Sequence, residues 1–172
     1  GYGFFVAQDQ KETTRYIPML GQGGLGLPDR DYYLKEDPKS KEIREKYLAH
    51  VARMLELLGD APDAAKAKAA VVMDLETKLA KASRTRVELR DPERNYNKRT
   101  VAQLAGAAPG YDWKAYLAAM GVPGGQELNV RQPEFATAFA AMAASEPLDA
   151  WKTYFRWHLV RTSAAYLPKR FD

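Results

Sequence analysis

Apolar side chains follow two different periods along this chain. Residues 4–9 and 13–20 are rich in aromatic and β-branched side chains and flank Gln10-Lys11-Glu12, which predicts a hairpin of two short strands. Pro18 is expected to confine the second strand to a sheet edge or to end it early. A lone hairpin is marginal in water, so this pair is expected to complete a sheet whose other strands lie outside these residues.

From Pro38 the period lengthens to three and four. Ile43, Tyr47, Val51, Met54, Leu55 and Leu58 fall on one helix face, with Asp37 as N-cap, Pro38 at the first position and Gly59 as terminator. A second helix is predicted from Pro62 to Ser83, with Val71, Leu75, Leu79 and Ala82 inward and alanines that permit close approach. Residues 84–99 lack a period and contain Pro92, as a connector does. Thr100 with Gln103 matches a capping box and starts a short helix. Trp113, Tyr116, Leu117 and Met120 form the next stripe, ended by Gly121; residues 122–132 read as loop with an extended piece at 127–131. Pro133 opens a helix on Phe135, Phe139 and Met142. Pro147 opens the last, whose stripe is read as Leu148, Trp151, Phe155, His158, Leu159, Thr162 and Tyr166. On that reading Tyr154 and Trp157 fall off the stripe and are candidates for an interface. The fold class is therefore mainly α, a helical lobe of about six helices with a short N-terminal β-hairpin annex.

Between strands and helices lies the most instructive run, Gly23-Gly24-Leu25-Gly26-Leu27-Pro28-Asp29-Arg30-Asp31-Tyr32-Tyr33-Leu34. Its glycines permit positive φ or close approach, and Pro28 is placed to open a helical turn with Asp29 and Asp31 near the positive end of its dipole. On the residues alone this is a glycine-rich loop entering a helix, without the Lys-Ser/Thr ending of a phosphate-binding loop.

Composition narrows the classes. A net charge of +4 is a mild basic bias, and the densest basic run, Arg84, Arg86, Arg90, Arg94, Lys98 and Arg99, is broken by Glu88, Asp91 and Glu93. That pattern describes a salt-bridged loop rather than a phosphate-tracking strip, so nucleic acid is not expected as a partner, and with no apolar run of membrane-spanning length neither is membrane contact by these residues. With no cysteine, disulfides and thiolate metal sites are excluded. The chain starts without Met and closes on Arg170-Phe171-Asp172, as a piece of a longer protein would.

Several stretches in order carry a resemblance to a known family. The run Gly24 to Tyr33, the Phe4-Phe5-Val6-Ala7-Gln8-Asp9 strand before it, the helix from Tyr47 to Leu58, Leu75-Glu76-Thr77-Lys78-Leu79-Ala80, and Tyr96-Asn97-Lys98-Arg99-Thr100-Val101-Ala102-Gln103-Leu104 together resemble the neprilysin and endothelin-converting-enzyme family of zinc metallopeptidases, including PepO-like bacterial members. The resemblance implies a portion N-terminal to the zinc motif of a two-lobed enzyme. Residues 1–34 would be the strand pair and crossing segment on the catalytic-lobe side, and 35–172 a helical lobe that gates short peptides. It implies zinc in the parent enzyme but no cofactor here, a missing catalytic lobe and short peptides as partners, and an exported location, whether periplasmic, extracellular or membrane-anchored. Gly24, Leu25, Gly26, Leu27, Pro28, Asp29, Arg30, Asp31, Tyr32 and Tyr33 carry over as an architectural signature, with Arg84, Arg86 and Arg90 as a possible substrate rim.

Catalytic chemistry is not legible in these residues. A zinc peptidase needs His-Glu-x-x-His, and the two histidines, His50 and His158, are far apart and lack that context, so each reads as structural. Asp29 with Asp31, and Asp91 with Glu93, read as caps or surface acids, and no serine sits in a Gly-x-Ser-x-Gly elbow. One other class stays open on the residues: a self-contained helical adaptor binding an acidic partner through Arg84–Arg99.

Overall fold

The structure, a computed structural model, describes residues 2–171. Along the chain its elements are β1 (Gly3–Gln8), β2 (Tyr16–Gly21), α1 (Asp31–Leu34), α2 (Pro38–Leu57), α3 (Pro62–Ala82), β3 (Lys98–Thr100), α4 (Val101–Ala107), α5 (Trp113–Ala119), β4 (Glu127–Val130), α6 (Pro133–Ser145) and α7 (Leu148–Ser163). The fold is mainly α with a small sheet, as its periodicity predicts. The chain divides into two units, each built from separated stretches: up to Gly24 with Ala82–Ser145, and Leu25–Lys81 with Glu146 onward.

The first unit holds the sheet, in the order β1-β2-β4-β3. β1 and β2 pair antiparallel from Gly3 opposite Gly21 to Gln8 opposite Tyr16. β4 then runs parallel to β2 and antiparallel to β3. The hairpin is therefore completed by strands from this same chain, against the expectation of outside partners. β3 and β4 have three and four residues, too short to display a period. Pro18 also sits in an interior strand rather than at an edge. It faces Val6 on the β1 side, while the registered pairs with β4 begin one residue later at Met19, so no ladder bond to β4 is asked of it.

The capping box at α4 forms with both arms: Gln103 N–H donates to Thr100 Oγ1 at 3.2 Å, and Thr100 N–H to Gln103 Oε1 at 2.9 Å. Leu104, Trp113, Leu117, Leu128, Val130 and Phe135 are buried, and the Tyr2 ring meets Trp113, Phe135 and Phe139 edge-on at 4.8–5.3 Å. Gly110 has φ +102°, and a Cβ there would stand 2.9 Å from the carbonyl oxygen of Ala140, so the turn needs glycine on both counts.

The second unit is helical. Asp37 caps α2 by accepting from Ser40 N–H at 3.0 Å, with Pro38 following as predicted. Tyr47, Val51 and Leu55 of α2, Ala65, Ala69 and Val72 of α3, Trp157 and Val160 of α7, and Phe171 form one core cluster. Val72, not Val71, is the inward residue of α3. The stripe expected on α7 is also corrected. Trp151, Tyr154, Trp157 and Val160 are the buried residues, while Leu148, Phe155 and Leu159 are exposed. Aromatic residues occur around most of this helix, so spacing alone admits two faces, and packing selects the one with the larger rings.

Candidate functional site

The signature run is held by a buried carboxyl. Pro28 does not open the short helix; α1 begins at Asp31, and Asp29 stands outside it, its Oδ1 accepting from Asp31 N–H at 2.8 Å. The turn delivers Tyr33 inward. Its hydroxyl accepts from the backbone N–H of Gly26 (3.0 Å) and Leu27 (2.8 Å) and donates to Glu76 Oε2 at 2.6 Å. Tyr47 of α2 donates to both Glu76 oxygens at 2.9 Å and accepts from Trp157 Nε1 at 2.9 Å. His158 Nε2 lies 2.9 Å from Glu76 Oε1, and the His50 ring meets Trp157 edge-on at 5.6 Å.

Glu76 is fully inaccessible, so each of these donors offsets a desolvation that an unpaired carboxyl would leave standing. Burial first, and then the Glu76 carboxyl, push the Tyr33 and Tyr47 phenols far above the ordinary tyrosine range, which keeps both as proton donors. Gly26 passes so close to this hub that a Cβ would lie 1.7 Å from Tyr47 Oη. Outside the hub, Arg30 Nε reaches the Ala80 carbonyl at 3.3 Å, and Arg44 Nη1 reaches those of Tyr32 and Lys35 at 3.0 and 2.6 Å. Within the run, the side chains of Asp29, Arg30 and Tyr33 each bond to backbone groups.

The hub's central residue was visible as an anomaly. Val72, Leu75, Glu76 and Leu79 fall at helical spacing on the buried face of α3, and an acid inside an apolar stripe signals a carboxyl met by buried hydrogen-bond partners. Tyr47 and Trp157, by contrast, carry no sequence mark that separates a hub donor from a core aromatic.

The connector in the first unit is equally tied down. Arg84 is nearly buried; its guanidinium pairs with Glu134 and reaches the carbonyl of Arg94 (2.8 Å) and Asn95 Oδ1 (3.2 Å). Buried Asn95 donates to the carbonyls of Glu88 and Asp91 and accepts from Gln132 Nε2 at 2.6 Å. Arg94 pairs with Glu88. Arg86 and Arg90 are exposed. Asp9, at the end of β1, is a second inaccessible carboxyl: Lys11 N–H (3.0 Å) and Tyr96 Oη (2.9 Å) donate to Oδ1, and Lys98 Nζ stands 3.1 Å from Oδ2. Burial works to raise its pKa, but these three partners overcome it and hold Asp9 at about 2.

The donor set does not fit zinc. Among the described residues no three histidine, aspartate or glutamate side chains converge on a common point, and the one imidazole-carboxyl contact, His158 with Glu76, shares its carboxyl with two phenols. Nor, among the described residues, is any helix long and apolar enough to cross a membrane.

Each of the two units is thus mainly helical or mixed in make-up and holds one buried, hydrogen-bonded carboxyl. The chain belongs to Peptidase family M13, whose N-terminal family model matches residues 1–172. It is 30% identical to endothelin-converting enzyme 1 of Cavia porcellus across 99% of its own length and 23% of that protein. The zinc metalloprotease Zmp1 of Mycobacterium tuberculosis, in its open state, superposes with a TM-score of 0.92 at 37% identity, over 99% of this chain and 27% of that one. PepO of Lactobacillus rhamnosis shares the fold, with a TM-score of 0.82 at 18% identity over 99% of this chain and 27% of its own. The chain spans about a quarter of the length of the curated relatives it matches.

Proposed function

We propose that this chain forms part of the non-catalytic, N-terminal helical portion of a zinc metalloendopeptidase and helps limit access to the active-site chamber to short peptides. The observation that carries the reading is the near-complete superposition on the metalloprotease Zmp1 at 37% identity, in a stretch whose own donor set does not suit the metal. On this reading zinc and the reacting groups belong to polypeptide outside these residues, in the missing catalytic lobe, and the parent works in an exported compartment. Gly24 to Tyr33 contributes by architecture, since the Tyr33 hydroxyl ties the run to α3. Arg86 and Arg90 are the members of the proposed rim that are exposed on the connector. No finding favours the adaptor alternative, because Arg84 and Arg94 of its binding segment pair internally.

The test is cleavage of a nested series of fluorogenic peptides and of a folded protein by the whole enzyme. A kcat/KM that falls steeply with substrate size, lost with a chelator and absent from residues 1–172 alone, is the expected result. Equal cleavage of folded protein, or stoichiometric zinc bound by residues 1–172 in calorimetry, would contradict it.

A further inference from the structure

The helix α7 is apolar on two faces. One carries Trp151, Tyr154, Trp157 and Val160 into its own unit; the other presents Leu148, Phe155 and Leu159, which are 68%, 55% and 67% exposed. Tyr166, just beyond the helix, is 91% exposed. Leu148, Phe155 and Leu159 are separated by seven and four positions, so they share one stripe, and Phe155 stacks on buried Trp151 with ring centroids 6.0 Å apart. The stripe is therefore continuous with a packed aromatic floor. A helix that is apolar on both sides belongs inside a larger body, whereas isolated surface leucines need no explanation.

We propose that this outer face of α7 is a docking seam for further polypeptide of the same protein, the part that lies outside residues 1–172. The length that relatives carry beyond the match favours this occupant. Zmp1 superposes on 99% of this chain yet has 73% of its own length beyond the match, and endothelin-converting enzyme 1 has 77%. A second copy of the chain would also cover apolar surface, but it offers no account of the length that relatives carry. The seam rests on reading the chain as part of a longer peptidase, and it adds the residues at which that remainder attaches.

The test is hydroxyl-radical footprinting of the whole protein by mass spectrometry, native against urea-unfolded, over a hundredfold dilution. Phe155 and Leu159 are expected to be protected about tenfold, as buried Trp157 is, at every concentration. Native reactivity equal to that of the unfolded chain would overturn the seam, and so would protection that vanishes on dilution, which would assign the face to a second copy. Peptide cleavage measured on the same samples keeps the two readings apart. Lost size selection with Phe155 protected counts against gating alone, whereas intact selection with Phe155 reactive counts against the seam alone.

Discussion

Asp9 and Glu76 are both inaccessible carboxyls, one in each unit, yet they are satisfied by different donors. Asp9 takes a neighbouring backbone N–H, a phenol and the Lys98 ammonium, so an opposite charge stands beside it. Glu76 is met by the phenols of Tyr33 and Tyr47 and by the His158 imidazole. The difference lies in what each donor positions. Around Asp9 the contacts close one hairpin onto β3. Around Glu76 each donor belongs to a different segment, so one carboxyl fixes the signature, α2 and α7 against α3. Two polar hubs of similar burial therefore differ in reach.

The sharpest way to break that contrast is Gly26→Ala. The added methyl collides with Tyr47 Oη, and relief requires either the signature or Tyr47 to leave the hub. Equilibrium unfolding should show a loss of at least about 3 kcal/mol, while alanine at Gly124, which has open space around it, should show no such collision penalty.

A smaller effect separates the hubs by pH. Asp9 has a folded pKa of about 2 against an ordinary 3.8, so its contribution is complete above the unfolded value and is lost as pH falls from about 4 to 2. Asp9→Asn should flatten the acid side of the stability profile by about one proton, and a profile unchanged below pH 4 would deny the hub its charge. The smallest effect is expected at the periphery. Thr100→Ala removes the side-chain half of the α4 capping box and should cost about 1 kcal/mol, with the Glu76 hub undisturbed.

How much of this was legible in the sequence follows the range of the interaction responsible. Helix starts at Pro38 and Val101 are written locally, in Asp37-Pro38 and in Thr100 with Gln103, and the structure places them there. The N-terminal run is less transparent: Pro28 suits a first helical turn, but the Asp29 side chain takes the Asp31 amide and the helix starts later. Sheet completion depends on β4, which pairs with β2 more than a hundred positions back, and on β3, which pairs with β4, and strands so short show no period. The buried face of α7 is decided by which rings fit the core around Tyr47 and Val51, information that spacing does not hold. Arg84 looks like one more arginine in a basic run, and Glu134, fifty positions away, with the Arg94 carbonyl and Asn95 Oδ1, withdraws it from the surface.

The claim on which the account turns is that Tyr33 and Glu76 act as one fastener for the signature. A double-mutant cycle on unfolding free energy, Tyr33→Phe against Glu76→Gln, measures that directly. A coupling of about 1 to 3 kcal/mol is predicted, because each change alone removes or weakens the same buried hydrogen bond and the double variant loses it only once. Additive losses, with a coupling near zero, would show that the run is held in place without this contact and would contradict the account.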